Sequence, residues 1–213
     1  MTHFSKNIRS NGDSVLVMNK IFSALTECAA EAGRVARGVR PDQLSGPTPC
    51  AEFDVRALVN HWVLYSSHGL ECRALRRPIP DELTDRDFTA VADWAEEYTA
   101  QLDRAVRAWS EPTVWEGEID LGWATMPAAG VAGMLLAELA LHGWDVATAT
   151  GQEFRVSEGS AVIIGEIVAA SAEEYRAYSM FAAAVEIADS ADPFSRYVAA
   201  SGRNPQWAAG IRA

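Results

Sequence analysis

Apolar residues recur at intervals of three and four along several long stretches of this chain, and that period commits it to a helical fold. From Val15 the positions Met18, Phe22, Leu25, Cys28, Ala29, Ala32 and Val35 form one such stripe, which stops near Gly38 with Pro41 just beyond. The run Pro47-Thr48-Pro49-Cys50-Ala51-Glu52-Phe53 cannot be helical throughout, because each proline removes a donor and biases its predecessor away from the helical region. Asp54 stands where an N-cap belongs, ahead of a second helix predicted to run to about residue 77 and to end at Pro78 and Pro80. A third stripe carries Phe88, Val91, Ala95, Tyr98, Leu102, Val106 and Trp109. Over residues 113–121 the period changes to alternation, the mark of a short strand or hairpin arm. A fourth helix is expected over residues 128–150, closed by Gly151. A shorter helix at about 157–177, an extended piece at 181–187 and a short helix after Pro193 complete the chain. Long helices with short connections predict an all-α protein, a four-helix bundle with minor β-strand decoration. One domain over residues 15–213 is expected behind a flexible tail, residues 1–14.

Composition narrows the function. A chain of 213 residues can bury a sizeable core. With 29 acidic against 18 basic residues and a net charge of −11, its surface repels phosphate backbones and anionic lipid. Neither nucleic acid nor a membrane surface is an expected partner. Apolar runs such as residues 161–168 fall short of the ~20 residues a spanning helix needs. The first 14 residues lack the apolar core of a signal peptide. Three cysteines, Cys28, Cys50 and Cys72, cannot all pair and show no CxxC spacing, so reduced thiols in a cytoplasmic protein are expected. Trp109, Trp115 and Trp123 supply either core or a surface on which a helical bundle pairs into a homodimer.

Polar side chains inside apolar helices carry the chemistry. Glu138 and His142 lie one turn apart in Val131-Ala132-Gly133-Met134-Leu135-Leu136-Ala137-Glu138-Leu139-Ala140-Leu141-His142, and residues at this spacing converge on one point. Burying a carboxylate there is costly unless it meets a cation or a donor. The pair either hydrogen-bonds to itself and fills a gap in the core, or it binds something. His61, in Leu58-Val59-Asn60-His61-Trp62-Val63-Leu64, is a third polar group in an apolar helix. If the two helices are neighbours, His61, Glu138 and His142 form a two-histidine, one-carboxylate cluster, and bundles build metal sites in this way. Three protein ligands leave positions open, the pattern of a catalytic ion. Zinc, nickel and iron all suit these donors, which do not discriminate strongly among them. Asp145, three residues after His142, is placed to accept from a ligand imidazole and fix its tautomer. Tyr65 and His68 share the face of His61 on an ideal helix, so they either line a cofactor pocket leading from the ion or, for His68, lie partly exposed.

Two segments resemble a known family. Pro47-Thr48-Pro49-Cys50-Ala51-Glu52-Phe53-Asp54-Val55-Arg56-Ala57-Leu58-Val59-Asn60-His61 is similar to its PTPCxEWDVRxLVNH opening. Glu138-Leu139-Ala140-Leu141-His142-Gly143-Trp144-Asp145-Val146-Ala147-Thr148-Ala149-Thr150-Gly151 resembles its second signature, (E/D)xxxHGWDxAxATG. Val39-Arg40-Pro41-Asp42-Gln43-Leu44 is similar as well, and the likeness extends from about residue 18 to Asn204-Pro205-Gln206-Trp207. The family is that of the N-terminal domain of mycothiol-dependent maleylpyruvate isomerase, related more distantly to the DinB-like bundles. The resemblance implies a DinB/YfiT-like four-helix bundle holding a divalent ion, often zinc, with ligands that match His61, Glu138 and His142. It also implies mycothiol, or another low-molecular-weight thiol, bound near the ion and attacking substrate.

Isomerases of this kind carry a further C-terminal α/β domain, which 213 residues are not expected to contain. The expected activity is therefore a metal-dependent transfer of a thiol to a small electrophile, with maleylpyruvate isomerisation itself not expected. The alternatives are a bundle that binds a metal or small molecule without catalysis, and a metal-dependent hydrolase.

Overall fold

The computed structural model describes residues 11–188 and 190–209. Helix α1 (Asn11–Arg37) packs against α5 (Trp94–Trp109) and α6 (Ala128–Ala149). A composite helix faces α1 across the bundle: α2 (Val55–Val63), a π-helical turn (Leu64–Gly69) and α3 (Leu70–Ala74) run on without a break. Its parts pack on α5 and α6, so four helical rods close a ring around one core. The fold is all-α, with a single two-stranded sheet among the described residues. Helix α6 is buried on nearly every face from Val131 to Ala147, which explains why its sequence is almost uniformly apolar. Helix α4 (Asp81–Thr84) is one exposed turn, α7 (Glu158–Ala177) lies on α1 and α6, and α8 (Pro193–Ala200) lies on α7.

The proline-rich segment before α2 folds back on itself. Pro47 bridges to Asp54, and the Thr48 hydroxyl sits 2.8 Å and 2.9 Å from the carbonyls of Cys50 and Phe53. Asp54 caps α2 by accepting from the Ala57 amide at 2.8 Å, as its position predicts. Further along α2, Arg56 reaches Asp87 and Thr89, while Asn60 accepts from the Phe88 amide and donates to Asp87. These contacts anchor a 3₁₀ turn at Phe88–Ala90 and bury Phe88. The third helix therefore begins at Trp94, later than the stripe from Phe88 implies, because Val91 is extended and Asp87 caps its own turn.

Other differences are local. The backbone of residues 11–14 already belongs to α1, and the rest of the tail expected over residues 1–14, with His3, lies outside the described residues. The alternating stretch near 113–121 splits into a 3₁₀ turn (Pro112–Trp115) and strand β1 (Glu118–Asp120). β1 pairs antiparallel with β2 (Thr125–Pro127), Ile119 opposite Met126. Residues 181–187 are irregular and form no strand. Trp109 is fully buried and donates to the Leu70 carbonyl, and Trp115 packs edge-on against it, so these two are core. Trp123 alone of the three stands in solvent.

Two contacts place the site. The Trp62 indole donates to the Leu139 carbonyl at 3.1 Å, locking the register of α2 against α6. At Gly143 a Cβ would lie 2.3 Å from the buried Phe154 ring, so only glycine lets the segment after α6 close against it.

Candidate metal centre

His61 leaves the last turn of α2, and Glu138 and His142 leave successive turns of α6. With the register held by Trp62, the three side chains meet. His61 Nε2 donates to Glu138 Oε1 at 2.9 Å, and His142 Nε2 lies 3.6 Å from Glu138 Oε2. The imidazoles approach edge to face, their centroids 4.9 Å apart. One ligand-type atom from each residue falls within a 4.8 Å cluster, so the group can hold a metal ion. Donors about 2.0–2.1 Å from a common tetrahedral centre stand about 3.4 Å apart. His61 and His142 approach different oxygens of Glu138, at 2.9 Å and 3.6 Å, so the side chains already stand on the scale of that separation.

The environment fits the same purpose. Burial pushes the Glu138 carboxyl up, but His142, the hydrogen bond from His61 and the more distant Arg203 outweigh it and hold the group below its ordinary value. Glu138 is thus a carboxylate. Side-chain exposure is 28% at His61, 25% at Glu138 and 11% at His142, so the cluster has an accessible edge and a closed floor. Phe53 and Tyr65 flank the His61 ring at centroid distances of 5.3 Å and 4.6 Å, fixing its orientation.

Beneath His142 lies Asp145, fully buried, with Oδ2 3.0 Å from His142 Nδ1. A carboxylate only accepts, so Nδ1 carries a proton, and Nε2 is the ring nitrogen that faces Glu138. Asp145 has a second partner that periodicity did not reveal. Arg203 donates through Nε to Oδ1 and Oδ2 at 2.9 Å and 3.0 Å, and through Nη2 to Oδ2 at 2.8 Å. Burial pushes the Asp145 carboxyl up; Arg203 and His142 pull it below its ordinary value. The segment after α8 carries no apolar period, so Arg203 gave no pattern to read. The signal lay in Asp145 itself, a charge inside an apolar helix that requires a cation.

Tyr65 and His68 part company. Tyr65 stays beside His61, but His68 does not share that face. A π turn advances each residue by less than the ~100° of an α-helix, and across Leu64–Gly69 the shortfall swings His68 round the axis. It stacks on Phe88 at 5.5 Å, in a separate cavity of about 260 Å³ whose lining includes Tyr98, Gln101 and Arg104. Burial and the neighbouring Arg104 lower its pKa. Hydroxyls of the turn serve the last carbonyls of α2: Ser66 donates to Trp62 and Ser67 to Val63, with the Tyr98 hydroxyl 2.9 Å from Ser66.

Residues 25–147, more than half of the chain, match the model of the mycothiol maleylpyruvate isomerase N-terminal domain, and all three cluster residues fall inside the match. Two uncharacterized proteins of Mycobacterium tuberculosis, one from strain CDC 1551 / Oshkosh and one from strain ATCC 25618 / H37Rv, are each 31% identical over 114 residues. That alignment covers 54% of this chain and 58% of each relative. No solved structure matches the chain significantly. The chain belongs to the family of the mycothiol maleylpyruvate isomerase N-terminal domain.

Proposed function

We propose that His61, Glu138 and His142 hold a divalent ion, zinc by preference, and that the protein is a metal-dependent transferase joining a low-molecular-weight thiol, such as mycothiol, to a small electrophile. The observation that carries this reading is the convergence of two imidazoles and a carboxylate from separate helices, with the His142 tautomer set by Asp145. Membership of a family named for a mycothiol enzyme supports the thiol.

An ion so held keeps coordination positions open and supplies Lewis acidity that favours a thiolate over a thiol at neutral pH. The protein's part is arrangement. Glu138 brings the negative charge that a cation needs, and His61 would offer its Nε2 lone pair with the ring proton on Nδ1. Phe53 and Tyr65 set their rings against His61 at the accessible edge. Asp145 holds its imidazole in place and takes no proton, because Arg203 occupies both of its oxygens. In the simplest addition, the sulfur forms a bond to the electrophilic carbon of an activated double bond. The π pair moves to the adjacent carbon, which takes up the proton lost by the thiol.

Isothermal titration of zinc-loaded protein with mycothiol tests this. Binding that requires the ion and disappears in His142→Ala is the expected result. A metal-loaded protein that takes up neither mycothiol nor a simpler thiol removes the transferase reading. It leaves a metal-binding bundle without catalysis, a reading favoured by the absence, among the described residues hydrogen-bonded to the cluster, of a free acid or base.

A further inference from the structure

We infer that Arg203 is a positioning residue for the centre: held by the turn after α8, it fixes the tautomer and orientation of His142 through Asp145. The affinity part of this inference rests on the metal reading above; the tautomer part does not.

The chain reaches the centre here from far away in sequence. Gly202 makes the turn, with φ +85° and its amide bonded to the Ala199 carbonyl; a Cβ on it would lie 2.7 Å from the Ala182 carbonyl oxygen. Arg203 N then bonds back to the Val198 carbonyl, and Nη1 donates to the Ser201 hydroxyl at 3.1 Å. The guanidinium is thereby aimed before it meets Asp145, its side chain only 11% exposed and its partner not exposed at all. Three N–H···O contacts clamp both carboxylate oxygens and hold the carboxylate in one plane. Within that plane Oδ2 is the atom left facing His142 Nδ1. A carboxylate free to rotate would not hold one tautomer of the ring, and an imidazole protonated on Nε2 has no lone pair on that nitrogen for a cation beside Glu138. Lysine cannot replace this fork, because a single ammonium cannot span two oxygens in a fixed plane.

The test compares Arg203→Gln and Arg203→Lys with the intact protein, and with Arg176→Ala as control. Arg176 anchors the same segment through the Ala200 carbonyl at 3.1 Å without touching Asp145. Ring ¹⁵N shifts of metal-free protein at mildly alkaline pH report the tautomer. The intact protein and Arg176→Ala should show the same His142 ring shifts, with Nδ1 protonated; Arg203→Gln should show Nδ1 protonation reduced and Arg203→Lys an intermediate state. If Arg203→Gln does not fold, Arg203→Lys against Arg176→Ala decides. Zinc affinity, read by chelator competition, should fall about 10–100-fold in Arg203→Gln. An unchanged tautomer in both Arg203 variants, or an equal disturbance in Arg176→Ala, overturns the inference. An intact protein that takes up no zinc while the Arg203 variants still show Nδ1 protonation reduced removes the metal reading and leaves the positioning role in place.

Discussion

Charge compensation governs the residues around the centre. Asp145 and Arg203 are both shut away from water, and such a pair is held by its own geometry: either member left alone is a buried charge. Asp145→Asn should therefore cost about 3–5 kcal/mol of unfolding free energy, measured by urea denaturation of the metal-free protein. The double variant Asp145→Leu, Arg203→Met should recover most of that loss, since apolar side chains of similar size need no partner. A single variant as stable as the intact protein would contradict the burial of the pair. At this scale much of the site was legible. His61, Glu138 and His142 stand out because each is a polar group set within a stretch of otherwise apolar residues. Arg203 was not legible, because its partner is 58 residues away and nothing local marks it.

At the scale of elements, register decides whether the ligands meet. Trp62 is fully buried and its indole makes one of the hydrogen bonds that tie α2 to α6. Trp62→Phe should cost about 1–3 kcal/mol through the lost bond and the space left behind, and it should weaken zinc binding although it touches no ligand. Unaltered zinc binding in a destabilised Trp62→Phe would show that the register is set elsewhere. A second junction, between α1 and α7, is sensitive to pH. Glu27 accepts from the Ser157 amide and from the hydroxyls of Ser157 and Ser160 at the start of α7. Burial pushes its carboxyl up, and those hydrogen bonds more than reverse the effect, so its pKa is lowered. A lowered folded-state pKa means stability that is fully present above the ordinary glutamate value and lost as pH falls through the folded one. The stability difference between the intact protein and Glu27→Gln should thus be about 1 kcal/mol near neutrality and shrink on acidification below the ordinary glutamate range. A difference that grows on acidification contradicts the sign. The elements themselves followed from apolar period and from Asp54, but the π turn did not. Seven residues read as two α-helical turns put His68 on the face of His61, and nothing in the apolar period marks the wider turn at Leu64–Gly69.

Across the whole molecule, the four-rod ring was foreseeable from the number and length of the apolar stripes. The order of packing was not, because apolar period says which face is buried and not against what. No helix among the described residues is long and apolar enough to cross a membrane. Because the ligands come from α2 and α6, an ion would tie two of the four rods together and bind the folded state only. Zinc at about 100 times its dissociation constant would stabilise the fold by about 2.7 kcal/mol, which for a chain of this size raises Tm by about 5–11 °C. The most direct test of the central claim is the zinc content of folded protein after equilibration with zinc and removal of the excess, for the intact chain and for His61→Ala, Glu138→Gln and His142→Ala. The expected result is one equivalent in the intact protein and a small fraction of that in each folded variant. Less than half an equivalent in the intact protein, or full retention by the variants, would contradict the assignment of these three residues as the metal centre.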